Sequence, residues 1–150
     1  MSEHKNFWDR NAKCYDKFMS KDMAAYEKMY ELLRPVVHQK TVLELATGTG
    51  LIAKNIVNEA NYIEATDASV EMIVEAERNN HSAKLNFSVQ DMFNLQYAND
   101  IFDVIIVSNA LHIVPQPEKA LVEIDRVLKK GGVLIAPTFT HAGNTFSGKV

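Results

Sequence analysis

Apolar positions divide the chain into a helical first third and a longer stretch where short apolar runs alternate with helical repeats. Trp8, Ala12, Tyr15 and Met19 recur at i, i+4, i+7 and i+11, the spacing of one helix face. Ser20 and Asp22 offer N-cap oxygens for a second helix with Met23, Tyr26, Tyr30 and Leu33 as its apolar face. Pro35 lacks an N–H and restricts Arg34, which predicts the end of that helix. From residue 41 the runs TVLELA, YIEAT, LNFSV, FDVIIVSNA and VLIAPTF predict five strands, the fourth buried on both faces.

Between the runs, LIAKNIVNEA repeats with a helical period. Asp67 and Ser69 lead into VEMIVEAERNN, with Val70, Ile73 and Val74 on one side, while QDMFNLQYAND is irregular. Pro115 and Pro117 open a last helix whose stripe is Ala120, Leu121, Ile124, Val127 and Leu128. Lys129 and Lys130 are expected in its final turn, where cations favour the dipole, and Gly131-Gly132 to end it. Strands alternating with helices over short links predict an α/β protein, a doubly wound parallel sheet with right-handed crossovers. At 150 residues, with no repeat or linker, the chain reads as a single domain. Residues 1–40 form its N-terminal helical segment and 41–140 its core.

Composition narrows the function classes. The chain has 16 Lys+Arg against 19 Asp+Glu, a formal net charge of -3, which offers no electrostatic footprint for nucleic acid. The single cysteine, Cys14, rules out an internal disulfide and is compatible with a reducing compartment. The start, MSEHKNFWDR, has no apolar h-region, and no apolar run approaches the ~18 residues that span a bilayer. The expectation is a soluble cytoplasmic protein. No metal-ligand spacing and no nucleophile elbow is present.

The segment VLELATGTG, Val42 to Gly50, carries the most chemistry. Closely spaced glycines between a strand and a helix let backbone N–H groups approach a ligand, a freedom that Gly48 and Gly50 provide. Gly48-Thr49-Gly50-Leu51-Ile52-Ala53 also fits the G-x-G-x-x-G/A dinucleotide fingerprint, with Asp67 roughly 20 residues on. The glycines alone therefore do not separate a nicotinamide cofactor from another adenosine-bearing one. Glu44, before the loop, suits a ligand ammonium and would oppose a pyrophosphate. Asp67 could accept from both hydroxyls of a ribose, and Asp91, after the third strand, from an exocyclic amine. Bland alternatives stand beside each: a structural carboxylate for Glu44, a helix N-cap for Asp67, a turn for Asp91.

FWDRNAKCYD, VLELATGTG, EATDASVEMI, QDMF, FDVIIVSNALHIV and LKKGGVLIAP, in that order, resemble the class I S-adenosylmethionine-dependent methyltransferases. The likeness is to the small-molecule branch, similar to the quinone-biosynthesis C-methyltransferases. It runs from Phe7 to about Pro137 and implies a Rossmann-like fold and methyl transfer from S-adenosylmethionine to a small-molecule acceptor, leaving S-adenosylhomocysteine. By that resemblance Glu44 with Ala46, Thr47, Gly48 and Gly50 would hold the methionine portion. Asp67 would take the ribose hydroxyls, and Ala68 or Ser69 would lie beside the adenine. Asp91 and the Met92 backbone would read the adenine edge, Asn109 and Ala110 would line the sulfonium side, and Tyr15 with Phe7 or Trp8 would form a lid. Tyr15 and Trp8 have core packing as their alternative. His112, after the fourth strand, is the candidate base, with a packed structural histidine as its alternative.

Two features depart from the family pattern. Ala46 stands where the family has its first loop glycine, which would be strained if φ were positive. The chain also stops at HAGNTFSGKV, where family members continue into a helix and an antiparallel pair. VLIAPTF would then be an exposed apolar edge, so the expectation is a part of a longer protein or a second copy covering that edge as a homodimer. The rival readings are a dinucleotide-dependent oxidoreductase, in which Glu44 has no favourable role, and a non-catalytic cofactor-binding module or regulatory subunit.

Overall fold

The computed structural model describes residues 23–139 and 146–149. The expected Trp8–Met19 helix, with Phe7, Cys14 and Tyr15, lies outside the described residues, as do the Ser20 and Asp22 caps.

The first helix, α1 (Met23–Val37), buries Tyr26, Met29, Tyr30, Leu33 and Val37. It continues through Pro35, two residues past the expected stop. A proline this close to the end removes one backbone donor, and the buried Val37 side chain holds the last turn in place. Met23, expected on the apolar face, is exposed.

The remaining elements are β1 (Thr41–Leu45), α2 (Leu51–Ile56), β2 (Tyr62–Asp67), α3 (Val70–Glu77), β3 (Leu85–Val89), β4 (Phe102–Val107), α4 (Pro117–Val127), β5 (Leu128–Phe139) and β6 (Phe146–Lys149). They form one sheet of order β3-β2-β1-β4-β5-β6. The first five strands are parallel, as a doubly wound α/β sheet requires. Winding reverses between β1 and β4, so the loops after those strands part and leave a crevice at their carboxyl ends.

Strand alternation sorts the core onto two faces. Val42, Ile63, Ala65, Phe87, Val104 and Ile106 pack under α1, α2 and α3. Leu43, Leu45, Phe102, Ile105 and Val107 pack against Ile124 and Val127 of α4 and against Leu95. Glu44 shares the strand face of Val42, and its carboxyl is therefore carried into the apolar layer beneath α1 and α2.

Several expected details are corrected. In α3, Met72, Ile73 and Ala76 are the buried residues, whereas Val70 and Val74 are exposed. Helical spacing alone did not fix which flank of so short a helix meets β2 and β3. Its N-cap is Ser69, whose Oγ accepts from the Met72 N–H at 3.2 Å. In α4, Leu121 is exposed and Leu128 has already left the helix. Lys129 and Lys130 lie in β5, and the basic residue of the helix's last turn is Arg126.

Gly131-Gly132 does not stop the helix either. Leu128 pairs with Phe102, but the next pair is Val133 with Val104, so Lys129 to Gly132 bulge out opposite Asp103. The Lys129 ammonium meets the Asp103 carboxylate there at 3.1 Å. Finally, the edge of the fifth strand is not wholly bare. The chain supplies β6, antiparallel to Ala136–Phe139.

Candidate functional site

The crevice is lined from four strand ends: Ala46 and Gly48 after β1, Asp67 to Ser69 after β2, Gln90, Met92 and Phe93 after β3, and Ser108 to Ala110 after β4. Met72 of α3 and the Ile113–Pro115 turn close its apolar side. A smaller hollow shares Ala46 and Ser108 with it and is bounded by Tyr26, Glu44, Thr47, Thr49, Leu51 and Ile52.

Glu44 is only 2% exposed, and the Thr47 hydroxyl donates to its Oε1 at 2.5 Å. Burial pushes its carboxyl up to about 8, against hydrogen bonds from Thr47 and the Ala53 backbone that favour the charged form; the nearby Asp67 charge adds to the rise. At neutral pH this group therefore holds a proton, and a cation brought beside it would displace that proton.

The loop after β1 is held by the end of β2. The Thr47 N–H donates to the Thr66 carbonyl at 2.9 Å, and the Gly48 N–H to Asp67 Oδ2 at 2.9 Å. Ala46 has φ 54° and Gly48 φ 61°, both in the left-handed region. The sequence pointed to Gly50 as a second close-approach glycine, but the structure gives it another job. It borders neither hollow, and a Cβ there would lie 2.5 Å from Phe87 Cζ. Gly50 lets α2 pack onto β3.

Asp67 sits half-buried at the tip of β2. Its Oδ1 accepts from the Ser69 N–H at 2.9 Å while Oδ2 accepts from Gly48. The N-cap role belongs to Ser69, so Asp67 ties the glycine loop to the start of α3 and still borders the crevice. Each carboxylate oxygen can accept more than one donor, which keeps this position compatible with a diol.

The other expected site residues divide. Ala68, Met92, Asn109 and Ala110 line the crevice. Asn109 has φ 53°, and its N–H is held by the Pro137 carbonyl at 2.9 Å, which fixes the tip of β4 against β5. Asp91 is exposed and does not line the crevice; its Oδ1 accepts from the Phe93 N–H at 2.9 Å, shaping the turn that presents Gln90, Met92 and Phe93. His112 is exposed and lines neither hollow. Tyr15 lies outside the described residues.

Sequence reasoning did not single out Tyr26, Gln90, Phe93, Ser108 or Ile113–Pro115 as site residues. Gln90 had a signal, a polar residue at a strand end directly before Asp91. Tyr26 had a fainter one, a hydroxyl on an otherwise apolar helical stripe. Among the described residues no group of three or more His, Cys, Asp or Glu could hold a metal ion. No helix among them is long and apolar enough to cross a membrane.

The donor set is thus a buried carboxyl beside a tyrosine and three hydroxyls, a half-buried carboxylate over a glycine loop, and a largely apolar slot with two amides. It suits an elongated ligand with a cationic end, a hydroxylated middle and a flat base.

Residues 43–136 match the family model described as "Methyltransferase domain". The chain is similar to the ubiquinone/menaquinone biosynthesis C-methyltransferase UbiE of Roseobacter denitrificans, 34% identical over 79% of this chain and 49% of that protein. It is also similar to the demethylmenaquinone methyltransferase of Paenarthrobacter aurescens, 35% identical over 67% of this chain and 39% of that one. The chain spans about half, or less, of the length of these curated relatives.

Among solved structures it is similar to the complex between the Haloferax volcanii Trm112 methyltransferase activator and a methyltransferase. The TM-score is 0.78 with 27% identity, over 87% of this chain and 59% of that one. It is likewise similar to the DhpI-SAH complex, with a TM-score of 0.76 and 27% identity, over 91% of this chain and 67% of that one.

Proposed function

The chain belongs to the class I S-adenosylmethionine-dependent methyltransferases, similar to the quinone-biosynthesis type, and from that premise we propose that it transfers the methyl group of S-adenosylmethionine to a small-molecule acceptor. One observation carries the assignment to this crevice: Glu44 and Asp67, from neighbouring strands, flank a single loop whose Gly48 N–H is already bonded to Asp67.

The chemistry of the donor set fits the cofactor. Glu44 takes the ammonium, for which a buried carboxyl is a strong partner once ionised. Asp67 takes the ribose hydroxyls. The Met92 backbone serves the edge of the base, with Ala68 beside it, and Asp91 acts indirectly, by shaping the turn that presents Met92. Ala46, Thr47 and Gly48 hold the amino-acid end, and Asn109 and Ala110 line the reacting side. Gly50 acts indirectly, by seating α2. His112 is given no role.

When bound, the cofactor supplies a methyl group already activated by a sulfonium. The residues of the chain therefore orient the two reactants and exclude water; such positioning accounts for a large part of rate enhancement in transfer reactions.

Calorimetric titration with S-adenosylmethionine and S-adenosylhomocysteine, with NAD as the control, tests this reading. Saturable binding of both sulfur ligands, weakened many-fold but still measurable in Glu44→Ala and Asp67→Ala, is the expected result. Binding of NAD instead would overturn it in favour of an oxidoreductase.

The similarity to a methyltransferase solved with its activator favours a second reading, a cofactor-binding subunit that turns over only with a partner. Tight S-adenosylhomocysteine binding without turnover on any quinone-like acceptor would select it.

A further inference from the structure

Arg126, in the last turn of α4, borders neither hollow. Its guanidinium nevertheless makes the densest set of hydrogen bonds in the described structure. Nη1 donates to the Tyr97 carbonyl at 2.7 Å and to Asn99 Oδ1 at 2.9 Å. Nη2 donates to the Leu95 carbonyl at 3.0 Å and to Glu123 Oε2 at 2.8 Å. The same Glu123 oxygen accepts from the Leu95 N–H at 3.2 Å. One ion pair on α4 therefore grips both polar sides of Leu95 and the carbonyl of Tyr97, in a β3–β4 connection that has no helix of its own. A planar fork with five donors serves this many acceptors at once; an ammonium does not.

Between the two gripped residues lies Gln96. Its N–H donates to Gln90 Oε1 at 3.0 Å, and Gln90 Nε2 donates to Ser88 Oγ at 3.2 Å. Gln90 lines the crevice together with Met92 and Phe93 of the same connection. An unbroken series of hydrogen bonds thus runs from α4 to one wall of the crevice. Leu95 is buried and the Tyr97 ring packs edge-on to Phe102 at 5.0 Å, so the connection keeps apolar anchors without Arg126.

We propose that Arg126, paired with Glu123, is a positioning residue that sets cofactor affinity from outside the crevice by fixing Gln90 through Leu95, Gln96 and Tyr97. This rests on the cofactor reading given above.

The test titrates S-adenosylhomocysteine into wild type, Arg126→Met, Gln90→Ala and the double variant, with Asp67→Ala/Arg126→Met as a cycle on another strand. Arg126→Met is expected to weaken binding by roughly 2- to 30-fold, the range for residues that act without touching the ligand. In the double variant the two losses should not multiply, whereas with Asp67→Ala they should. Backbone amide exchange in the ligand-free protein should accelerate across residues 90–99 and stay unchanged in β1 and β4.

Unchanged affinity in Arg126→Met, or losses that multiply with Gln90→Ala, would overturn the proposal. So would exchange accelerated throughout the sheet, the mark of a merely structural residue. If Arg126→Met does not fold, Arg126→Lys, which keeps the charge opposite Glu123, gives the same readings. Absence of binding in wild type would overturn the cofactor reading itself, and this proposal with it.

Discussion

Ala46 holds φ at 54° where β1 gives way to the glycine loop, and a Cβ in that region crowds the following carbonyl. The left-handed conformation costs a non-glycine residue about 1–2 kcal/mol, while a glycine would lose about 0.4–1 kcal/mol more chain entropy on folding. Ala46→Gly should therefore stabilise the protein, by roughly 0.5–1 kcal/mol, read as a higher urea midpoint at unchanged slope. The sequence made this conflict visible, because an alanine stood at a glycine's place; only the backbone angle showed that the strain is present.

At Glu44 the sign of the pH effect follows from burial. Its carboxyl rises from an ordinary 4.5 to about 8 on folding, so between those values the folded chain binds a proton that the unfolded chain has released. The contribution is whole below about 4.5 and is lost as pH rises through about 8. Denaturant titrations should accordingly show stability falling over that window in wild type, and a flatter profile in Glu44→Gln. Parallel profiles would contradict the assignment.

The elements themselves were largely legible, and their ends were not. Five strands and all four described helices fall where apolar periodicity put them, since the pattern reports which side chains need cover. The misjudged boundaries share a cause, tertiary contact overriding a local signal. Val37 carries α1 past Pro35, and the pairing of Leu128 with Phe102 draws Lys129 and Lys130 out of α4 into β5. The flank of α3 that meets the sheet follows from its packing on β2 and β3, which no count of valines contains.

Gly50 belongs at this scale too, because its work is between elements. Gly50→Ala would place a methyl group against the buried Phe87 ring at φ 82°, and a loss of about 2–4 kcal/mol is expected from overpacking plus backbone strain. Adding Phe87→Leu should recover part of it, leaving the backbone share, as thermal denaturation of the pair would show.

For the molecule as a whole, the doubly wound parallel sheet followed from the βαβ alternation, whereas β6 was illegible. HAGNTFSGKV has too little alternation to read as a strand. Acidic residues at strand ends were legible because each closes an apolar run, while the amides and apolar residues that complete the crevice look like ordinary loop. Both apolar layers draw on β1 and β4, so neither face can lose its packing alone. The described core should unfold in one transition, with calorimetric and van't Hoff enthalpies equal; two resolved transitions would divide it.

The shared sheet also makes the crevice a gauge. Neighbouring strands in a parallel ladder sit about 4.8 Å apart, so the tips of β3, β2, β1 and β4 mark out roughly 14 Å along one line. Backbone bonds set those graduations, and side chains only label them. A compact molecule can satisfy two adjacent marks, while one that spans all four must be long, which makes length the first property this protein selects. Replacing a labelled residue erases one mark and leaves the scale intact.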